Sequence, residues 1–173
     1  RDGVINKYPG DTKYVTRLKE FHFLPNAKKA IALLTKRGFK IFVISNQAGV
    51  NKGLFSADTL AEITRKMLSD IEKSGGKVDG VYYCIHREDE NCSCRKPKAG
   101  LIHTAMAATH IDLKNSFFIG DTMRDIATAK SAGCKSILVF SGKEKAANSN
   151  KWEVRPDFTF DNIYKAAKFI IRL

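Results

Sequence analysis

The fold is decided by one stretch, Phe117-Phe118-Ile119-Gly120-Asp121-Thr122-Met123-Arg124-Asp125. An apolar run enters Gly-Asp and a helical pattern begins at once, so the spacing predicts a strand that ends with a carboxylate exposed at its tip. A carboxylate above the end of a parallel strand is placed to bind a hard cation. A plain β-turn is the alternative, because Gly-Asp is common turn chemistry. Three further segments with complementary chemistry favour the cation site.

Strands and helices alternate along the whole chain. Short apolar runs predict five strands: Phe39–Ile44, Val78–Cys84, Ser116–Ile119, Ser136–Phe140 and, at an edge, Phe158–Phe160. Helical spacing predicts five helices: residues 26–37, residues 57–74 after a Ser56 N-cap, Gly100–His110, Met123–Ala132 and Ile163–Ile171. The alternation predicts one α/β domain, a three-layer doubly wound and mostly parallel sheet of the Rossmann-like kind.

Some individual positions are also predicted. Leu101, Ala105 and Ala108 should face the core from their helix, and Cys134 should be a small buried hydrophobe. Residues 141–151 should form a charged surface loop.

Length and charge limit the class of protein. A chain of 173 residues suits one domain with a full core. Thirty Lys and Arg against eighteen Asp and Glu give a net charge of +12, which favours anionic partners such as phosphorylated metabolites, nucleic acid or an anionic membrane. The lysines are scattered, so most should lie on a solvated surface. No apolar run approaches the ~20 residues that span a bilayer. We expect a cytoplasmic monomer that acts on a small phosphorylated metabolite, without a nucleic-acid partner.

Three of the four cysteines cluster beside a histidine. Cys84, His86, Cys92 and Cys94 fall within eleven residues. Without secretory signals such clustering indicates a metal site rather than disulfides. Three thiolates and an imidazole are the ligand set of a closed structural zinc site. We therefore predict zinc in a structural role, pinning a polar loop to which Lys96 is attached.

Four side chains are predicted to meet at one rim. Ser45 and Asp121 lie at the ends of predicted strands, Lys96 lies a loop beyond another, and Asp2 leads the loop after a strand expected before Arg1. Ligands of such sheets bind outside the carboxyl ends of the strands. Two carboxylates can hold magnesium, while a hydroxyl, backbone amides and an ammonium can surround phosphate oxygens. Taken singly, Ser45 could belong to a capped turn and Lys96 to the solvated surface. Their joint placement favours phosphoryl transfer.

Four motifs resemble the motifs of a known protein family. They are Arg-Asp-Gly-Val-Ile-Asn at residues 1–6, Ser-Asn-Gln-Ala-Gly-Val at 45–50, Cys-Ser-Cys-Arg-Lys-Pro at 92–97 and Ile-Gly-Asp-Thr-Met-Arg-Asp at 119–125. In this order they closely resemble the haloacid-dehalogenase-like phosphatases. More narrowly they are similar to the D-glycero-D-manno-heptose 1,7-bisphosphate 7-phosphatases, with histidinol-phosphate phosphatases as near relatives. The resemblance implies a nearly capless domain with a zinc-binding loop.

The resemblance also implies catalytic roles. The family opens with Asp-x-Asp-Gly, in which the first aspartate forms an aspartyl-phosphate and the second is the general acid and base. Asp2 matches the second, so we expect the nucleophile and the strand that bears it to precede Arg1. Ser45 is expected to hold the transferring phosphoryl group and Lys96 to neutralise it. Asp121 is expected to bind magnesium together with the backbone of Asp2.

Other roles follow in the same way. Asp125 is expected either to act on magnesium through bound water or to orient Lys96. The zinc ligands of the family match Cys84, His86, Cys92 and Cys94. Substrate contacts are expected from Arg1, Tyr8, Pro9, Gly10, Asp11, Asn46, Gln47, Ala48, Arg95 and Thr122.

Several functions compete at this point. A magnesium-dependent phosphatase of heptose bisphosphate is the first hypothesis. Histidinol phosphate and a nucleic-acid 3′-phosphate are alternative substrates, since residues 8–14 form a longer loop than the heptose pattern. The basic stretches lack the interleaved aromatic residues of a strand-binding channel, which argues against nucleic acid. A non-catalytic, zinc-stapled binding domain is the hypothesis from another class.

Overall fold

The computed structural model describes all residues from Arg1 to Leu173. The strands are β1 (Phe42–Asn46), β2 (Gly80–Cys84), β3 (Phe117–Gly120), β4 (Lys135–Val139) and β5 (Phe158–Phe160). The α-helices are α1 (Ala27–Lys36), α2 (Ala57–Glu72), α3 (Gly100–Ala108), α4 (Met123–Ala132) and α5 (Ile163–Ile170). Two short 3₁₀ helices span Leu18–Glu20 and Ala146–Lys151. Every predicted strand and helix is therefore present, in the predicted order.

The strands pair in parallel throughout, which confirms the predicted α/β class. β1 pairs with β2, and Ser45 stands opposite Tyr83. β3 pairs with β4, and β4 pairs with β5, so that β5 is an edge strand as predicted. Because parallel strands end at the same edge, the residues after β1, β2, β3 and β4 collect on one rim.

An apolar cleft separates the two-stranded sheet from the three-stranded sheet. β1 pairs only with β2, and β3 pairs only with β4, so each presents an unpaired edge. Between these edges lies a cavity of about 400 Å³ whose lining includes Val43, Ile44, Phe117 and Ile119. Arg1 also lines the cavity.

Helix α1 joins the two halves of the core. Its residues Ala30 and Leu34 belong to a buried cluster with β4 and α5. Ile31, on the neighbouring stripe of the helix, belongs to a second cluster with β1 and α2. Ile31 is 1% exposed, and burying such a side chain contributes about 1.5–3 kcal/mol. One amphipathic helix thereby fixes the position of both sheets.

Several element ends differ from the predicted bounds, such as β2, which begins at Gly80 rather than Val78, and three local differences stand out. β1 begins at Phe42 rather than Phe39, because Gly38 (φ +79°) turns the chain after α1 and leaves Phe39 exposed. Ala108 is exposed, since it is the last residue of α3, and Ile102 takes the inward place instead. The loop predicted for residues 141–151 contains a 3₁₀ helix. Cys134 is buried, as predicted.

None of the helices combines the length and the apolar character needed to cross a membrane.

Candidate active site

The Asp2 carboxylate receives hydrogen bonds on both oxygens. Oδ1 accepts from the Arg1 guanidinium, with Nη2 at 2.8 Å, and from Asn6 Nδ2 at 2.8 Å. Oδ2 accepts from Gln47 Nε2 at 2.9 Å. Gly3, with a φ of +76°, reverses the chain so that Asn6 returns to Asp2. Asn6 is a site residue that the sequence analysis missed, although a polar residue closing a tight Asp-Gly turn was the available signal.

Ser45 and Gln47 stand beside Asp2 at the end of β1. The alternating burial of this strand puts Val43 and Ser45 on its buried face, and Ser45 is only 4% exposed. Gln47 is 1% exposed, and its Nε2 donates to Ser45 Oγ at 3.0 Å as well as to Asp2. The predicted convergence of Ser45 with Asp2 is therefore present and is mediated by Gln47.

Asn46 fastens the loop that carries Lys96. Its Nδ2 donates to the backbone carbonyl of Lys96 at 3.2 Å, and its Oδ1 accepts from the backbone N–H of Lys96 at 3.1 Å. This closed pair of hydrogen bonds joins the end of β1 to a residue that lies 50 positions further along the chain. The Asn46 side chain thus binds protein backbone, and the predicted substrate contact, which is that of the Asn46 backbone, stays a prediction.

Asp125 orients the Lys96 ammonium. Its Oδ1 lies 2.5 Å from Lys96 Nζ, and the two side chains are 5% and 12% exposed. Its Oδ2 accepts from the backbone N–H groups of Asp121 and Thr122 and from the Thr122 hydroxyl. Thr122 is the N-cap of α4 and forms a capping box with Asp125. Both Asp125 oxygens are engaged, so the geometry favours the Lys96-orienting role among the two predicted.

Asp121 sits between two glycines. A Cβ atom on Gly3 would come within 2.1 Å of Asp121 Oδ2, and one on Gly142 within 2.0 Å. The same oxygen accepts from the backbone N–H of Lys143 at 2.9 Å. Gly142 and Lys143 are not among the predicted site residues. Their signal was positional, because they follow β4 and so lie on the same rim.

The three carboxyl groups have different pKa values. Burial raises the pKa of Asp121 to about 6, and repulsion from Asp125 adds to the effect. Burial alone would also raise the pKa of Asp2, but the Arg1 guanidinium and other donors hold it below its usual range. For Asp125 the burial effect is outweighed by Lys96, which lowers the pKa. Asp121 is the carboxylate without a cationic side chain against it, and a divalent cation would supply that charge.

The cysteine loop forms a compact cluster. The ligand atoms of Cys84, His86, Cys92 and Cys94 lie within 4.8 Å of one another. The Sγ atoms of Cys84 and Cys92 are 3.6 Å apart, those of Cys92 and Cys94 3.4 Å apart, and His86 Nδ1 lies 3.2 Å from Cys94 Sγ. A tetrahedron with metal–sulfur distances of about 2.3 Å has edges of about 3.8 Å. The cluster could therefore hold zinc, as predicted.

Residues 8–11 form a small network at the rim. The Tyr8 hydroxyl donates to Asp11 Oδ1 at 2.5 Å, and Lys143 Nζ lies 2.7 Å from the same oxygen. Desolvation, followed by the Asp11 hydrogen bond, raises the pKa of Tyr8, and the nearby Asp121 charge contributes. This part of the predicted substrate cover is thus close to Asp121.

The remaining predicted substrate residues have mixed environments. Pro9 and Gly10 are half-buried in the loop of Tyr8. Ala48 is 1% exposed, and the Thr122 hydroxyl is used in the helix cap. Arg95 is half-buried, and its Nη1 donates at 3.3 Å to a backbone carbonyl of the zinc loop. Arg95 is therefore held beside the metal cluster and next to Lys96.

Sequence comparison gives a consistent set of relatives. Residues 93–166 match the family model described as HAD-hydrolase-like. The chain is 31% identical to a D-glycero-beta-D-manno-heptose-1,7-bisphosphate 7-phosphatase of Neisseria meningitidis, over 99% of this chain and 92% of the relative. It is 36% identical to the Pseudomonas putida protein of that name, over 83% of this chain and 81% of the relative.

Structure comparison agrees with the sequences. The fold superimposes on a crystal structure of D,D-heptose 1,7-bisphosphate phosphatase from B. bronchiseptica with a TM-score of 0.91. The sequences of the two are 31% identical, and the match covers 99% of this chain and 95% of the other. That relative was crystallised in complex with magnesium and phosphate.

Proposed function

The chain belongs to the haloacid-dehalogenase-like phosphatases, among the D-glycero-beta-D-manno-heptose-1,7-bisphosphate 7-phosphatases, and we propose that it removes the 7-phosphate of that bisphosphate in a magnesium-dependent reaction. One observation supports the proposal above all. The Gln47 amide donates hydrogen bonds to both Asp2 and Ser45. At the start of α4, the backbone N–H of Asp121 donates to Asp125, which also binds the Lys96 ammonium.

The residues present fit a magnesium ion. Asp121 would hold it, together with the backbone carbonyl of Asp2, whose following residue Gly3 packs on the Asp121 carboxylate. The buried, under-compensated charge of Asp121 supports this assignment. When bound, magnesium would offset the repulsion between an attacking carboxylate and the phosphate dianion.

The side chains of the chain itself have distinct tasks. The Ser45 hydroxyl donates to an oxygen of the transferring phosphoryl group. The Lys96 ammonium, held in place by Asp125, neutralises the charge of that group. Asp2, whose pKa the dianionic phosphate would raise on binding, donates a proton to the leaving alkoxide oxygen. Afterwards Asp2 takes a proton from the water that attacks the acyl phosphate, so its carboxyl returns to its starting state.

The nucleophile belongs directly before Arg1. In the proposed mechanism it is an aspartate that forms an acyl phosphate, which divides hydrolysis into two easier steps.

Substrate recognition falls to two loops. Arg95 would bind the second phosphate or the hydroxyl groups of the sugar, while the loop of Tyr8 and Asp11 would cover it. A metal ion bound by Cys84, His86, Cys92 and Cys94 would hold the loop that bears Arg95 and Lys96.

The test is phosphate release by the full-length protein, with magnesium and with a chelator. The substrates are heptose 1,7-bisphosphate, histidinol phosphate and a 3′-phosphorylated oligonucleotide. We expect fast, magnesium-dependent release from the heptose bisphosphate alone, and Asp121→Asn should abolish it without unfolding the protein. Release from another substrate would replace the proposed substrate and keep the chemistry. A folded, zinc-loaded protein that releases phosphate from none would contradict the proposal.

A further inference from the structure

Gln47 has an environment that a substrate contact would not need. It follows β1 directly, its backbone N–H donates to the carbonyl of Cys84 at 2.7 Å, and the residue is 1% exposed. Its side-chain amide points inward and donates to Asp2 and Ser45. We infer that Gln47 is a positioning residue that aligns the Ser45 hydroxyl and the Asp2 carboxyl for catalysis. This inference rests on the proposed function, because it takes the roles of Asp2 and Ser45 from it.

The first consequence concerns the Ser45 hydroxyl. A hydroxyl group has one proton to donate and two lone pairs that accept. Ser45 Oγ accepts from Gln47 Nε2 at 3.0 Å, so its own proton stays available for another acceptor. Because Ser45 is 4% exposed, little water competes for that proton. Gln47 therefore fixes the hydroxyl as a donor toward the phosphoryl oxygen.

The second consequence concerns the two oxygens of Asp2. Oδ1 is occupied by Arg1 and Asn6, with three hydrogen bonds of 2.8 to 3.1 Å. Oδ2 has Gln47 as its single partner at 2.9 Å. Oδ2 therefore keeps a lone pair for the proton that is given to the alkoxide and later taken from water. The bond from Gln47 fixes the direction in which that lone pair points.

The unpaired carbonyl oxygen of the Gln47 amide supports a catalytic reason for the position of this side chain. Gln47 Oε1 is buried and has no hydrogen-bond partner, and the same is true of Asn6 Oδ1. An unpaired buried carbonyl is costly, so an amide placed only for stability would pair both ends. Here both amides direct their donors to Asp2 and leave their acceptors unpaired. Their donors thus converge on the Asp2 carboxylate, while Asn6 Nδ2 also donates to the carbonyl of Lys7 at 3.0 Å and Gln47 Nε2 to Ser45 Oγ.

The test compares five variants of the full-length, zinc-loaded protein with the wild type. Gln47→Met keeps the length of the side chain and removes both donors, and Gln47→Glu replaces the donor with an acceptor. Asn51→Ala is the control, because Asn51 lies in the same loop and its amide binds only Glu90 at the surface. Ser45→Ala, alone and combined with Gln47→Met, completes a double-mutant cycle.

We expect Gln47→Met to lower kcat about 10- to 100-fold while KM changes less than about twofold, as for a misaligned catalytic group. Gln47→Glu should lower kcat at least as far, and Asn51→Ala should leave it unchanged. In the Ser45→Ala background the Gln47→Met effect should shrink, because part of it acts through the hydroxyl. A lower melting temperature with unchanged kcat, or fully multiplicative losses in the cycle, would overturn the inference.

Each variant is assayed on heptose 1,7-bisphosphate and on p-nitrophenyl phosphate, which separates the inference from the proposed function. Activity of the wild type on the aryl phosphate alone would refute the proposed substrate, and the Gln47 effect would then be measured on that compound. Loss of kcat there supports the inference, and unchanged kcat there contradicts it.

Discussion

The buried pair of Lys96 and Asp125 should behave as one energetic unit. The two charges lie 2.5 Å apart with side chains 12% and 5% exposed. Breaking a buried pair by removing one partner leaves an uncompensated charge and costs about 3–5 kcal/mol. Asp125→Asn should cost that much, because its amide would set a second donor against the ammonium. Lys96→Met should cost less, about 2–3 kcal/mol, because three donors still serve the other oxygen of Asp125.

The double variant Lys96→Met/Asp125→Asn should be less destabilised than the sum of the two single variants, by at least about 2 kcal/mol. Urea unfolding of the full-length, zinc-loaded wild type and of the three variants, followed by circular dichroism, gives the four free energies of unfolding that the cycle requires. The exposed pair of Lys66 and Asp70 in α2 is a matched control, since its atoms are 2.6 Å apart but the lysine is 51% exposed. Its coupling should be about 0.3–0.5 kcal/mol. A Lys96–Asp125 coupling no larger than the control would refute the account of Lys96 as a held cation.

Three further predictions concern other parts of the fold. Asp157, whose pKa is lowered to about 2 by a lysine and by Ser136, should stabilise the protein by about 1 kcal/mol after allowance for its exposure. Asp157→Asn should remove this at pH 7, while the wild type should lose it as the pH falls from about 4 to 2, as acid unfolding would measure. Cys92→Ser should lower zinc content and reduce kcat roughly 100-fold, since the loop that positions Lys96 loosens; unchanged kcat in zinc-free protein would contradict this. Gly142→Ala should raise the magnesium concentration for half-maximal activity at least about tenfold, because its Cβ would come within 2.0 Å of the metal-binding carboxylate; Gly38→Ala, whose Cβ meets nothing within 4 Å, should not.

The fold could be predicted from the sequence because the hydrophobic periodicity of each helix and strand is clear. The stripe of Leu60, Ile63, Met67 and Ile71 is buried as a helical period requires. Element ends were less predictable, since they depend on where pairing begins. β1 starts only at Phe42, where register with β2 is established.

The site was predictable at the level of residue type and not at the level of contacts. Ser45 lies in the last two residues of β1, Asp121 directly follows β3, and Lys96 lies in the loop after β2, so topology alone brings them to one rim. The use of the Asn46 side chain to bind the Lys96 backbone could not be predicted, because either partner could have bound water or substrate instead. The backbone N–H of Lys143 on Asp121 leaves no signature in sequence, because every residue type except proline carries that donor.

The three site carboxylates show why their surroundings decide their roles. Asp125 faces an ammonium and three other donors, so it stays ionised and holds Lys96. Asp2 has donors on both oxygens but only one on Oδ2, so that oxygen can exchange a proton. Asp121 is buried with no cation beside its side chain, and its pKa of about 6 reflects that deficit. In the proposed mechanism, chemically identical groups within one rim thus divide into an anchor, a proton carrier and a metal ligand, because each is given a different number of positive partners.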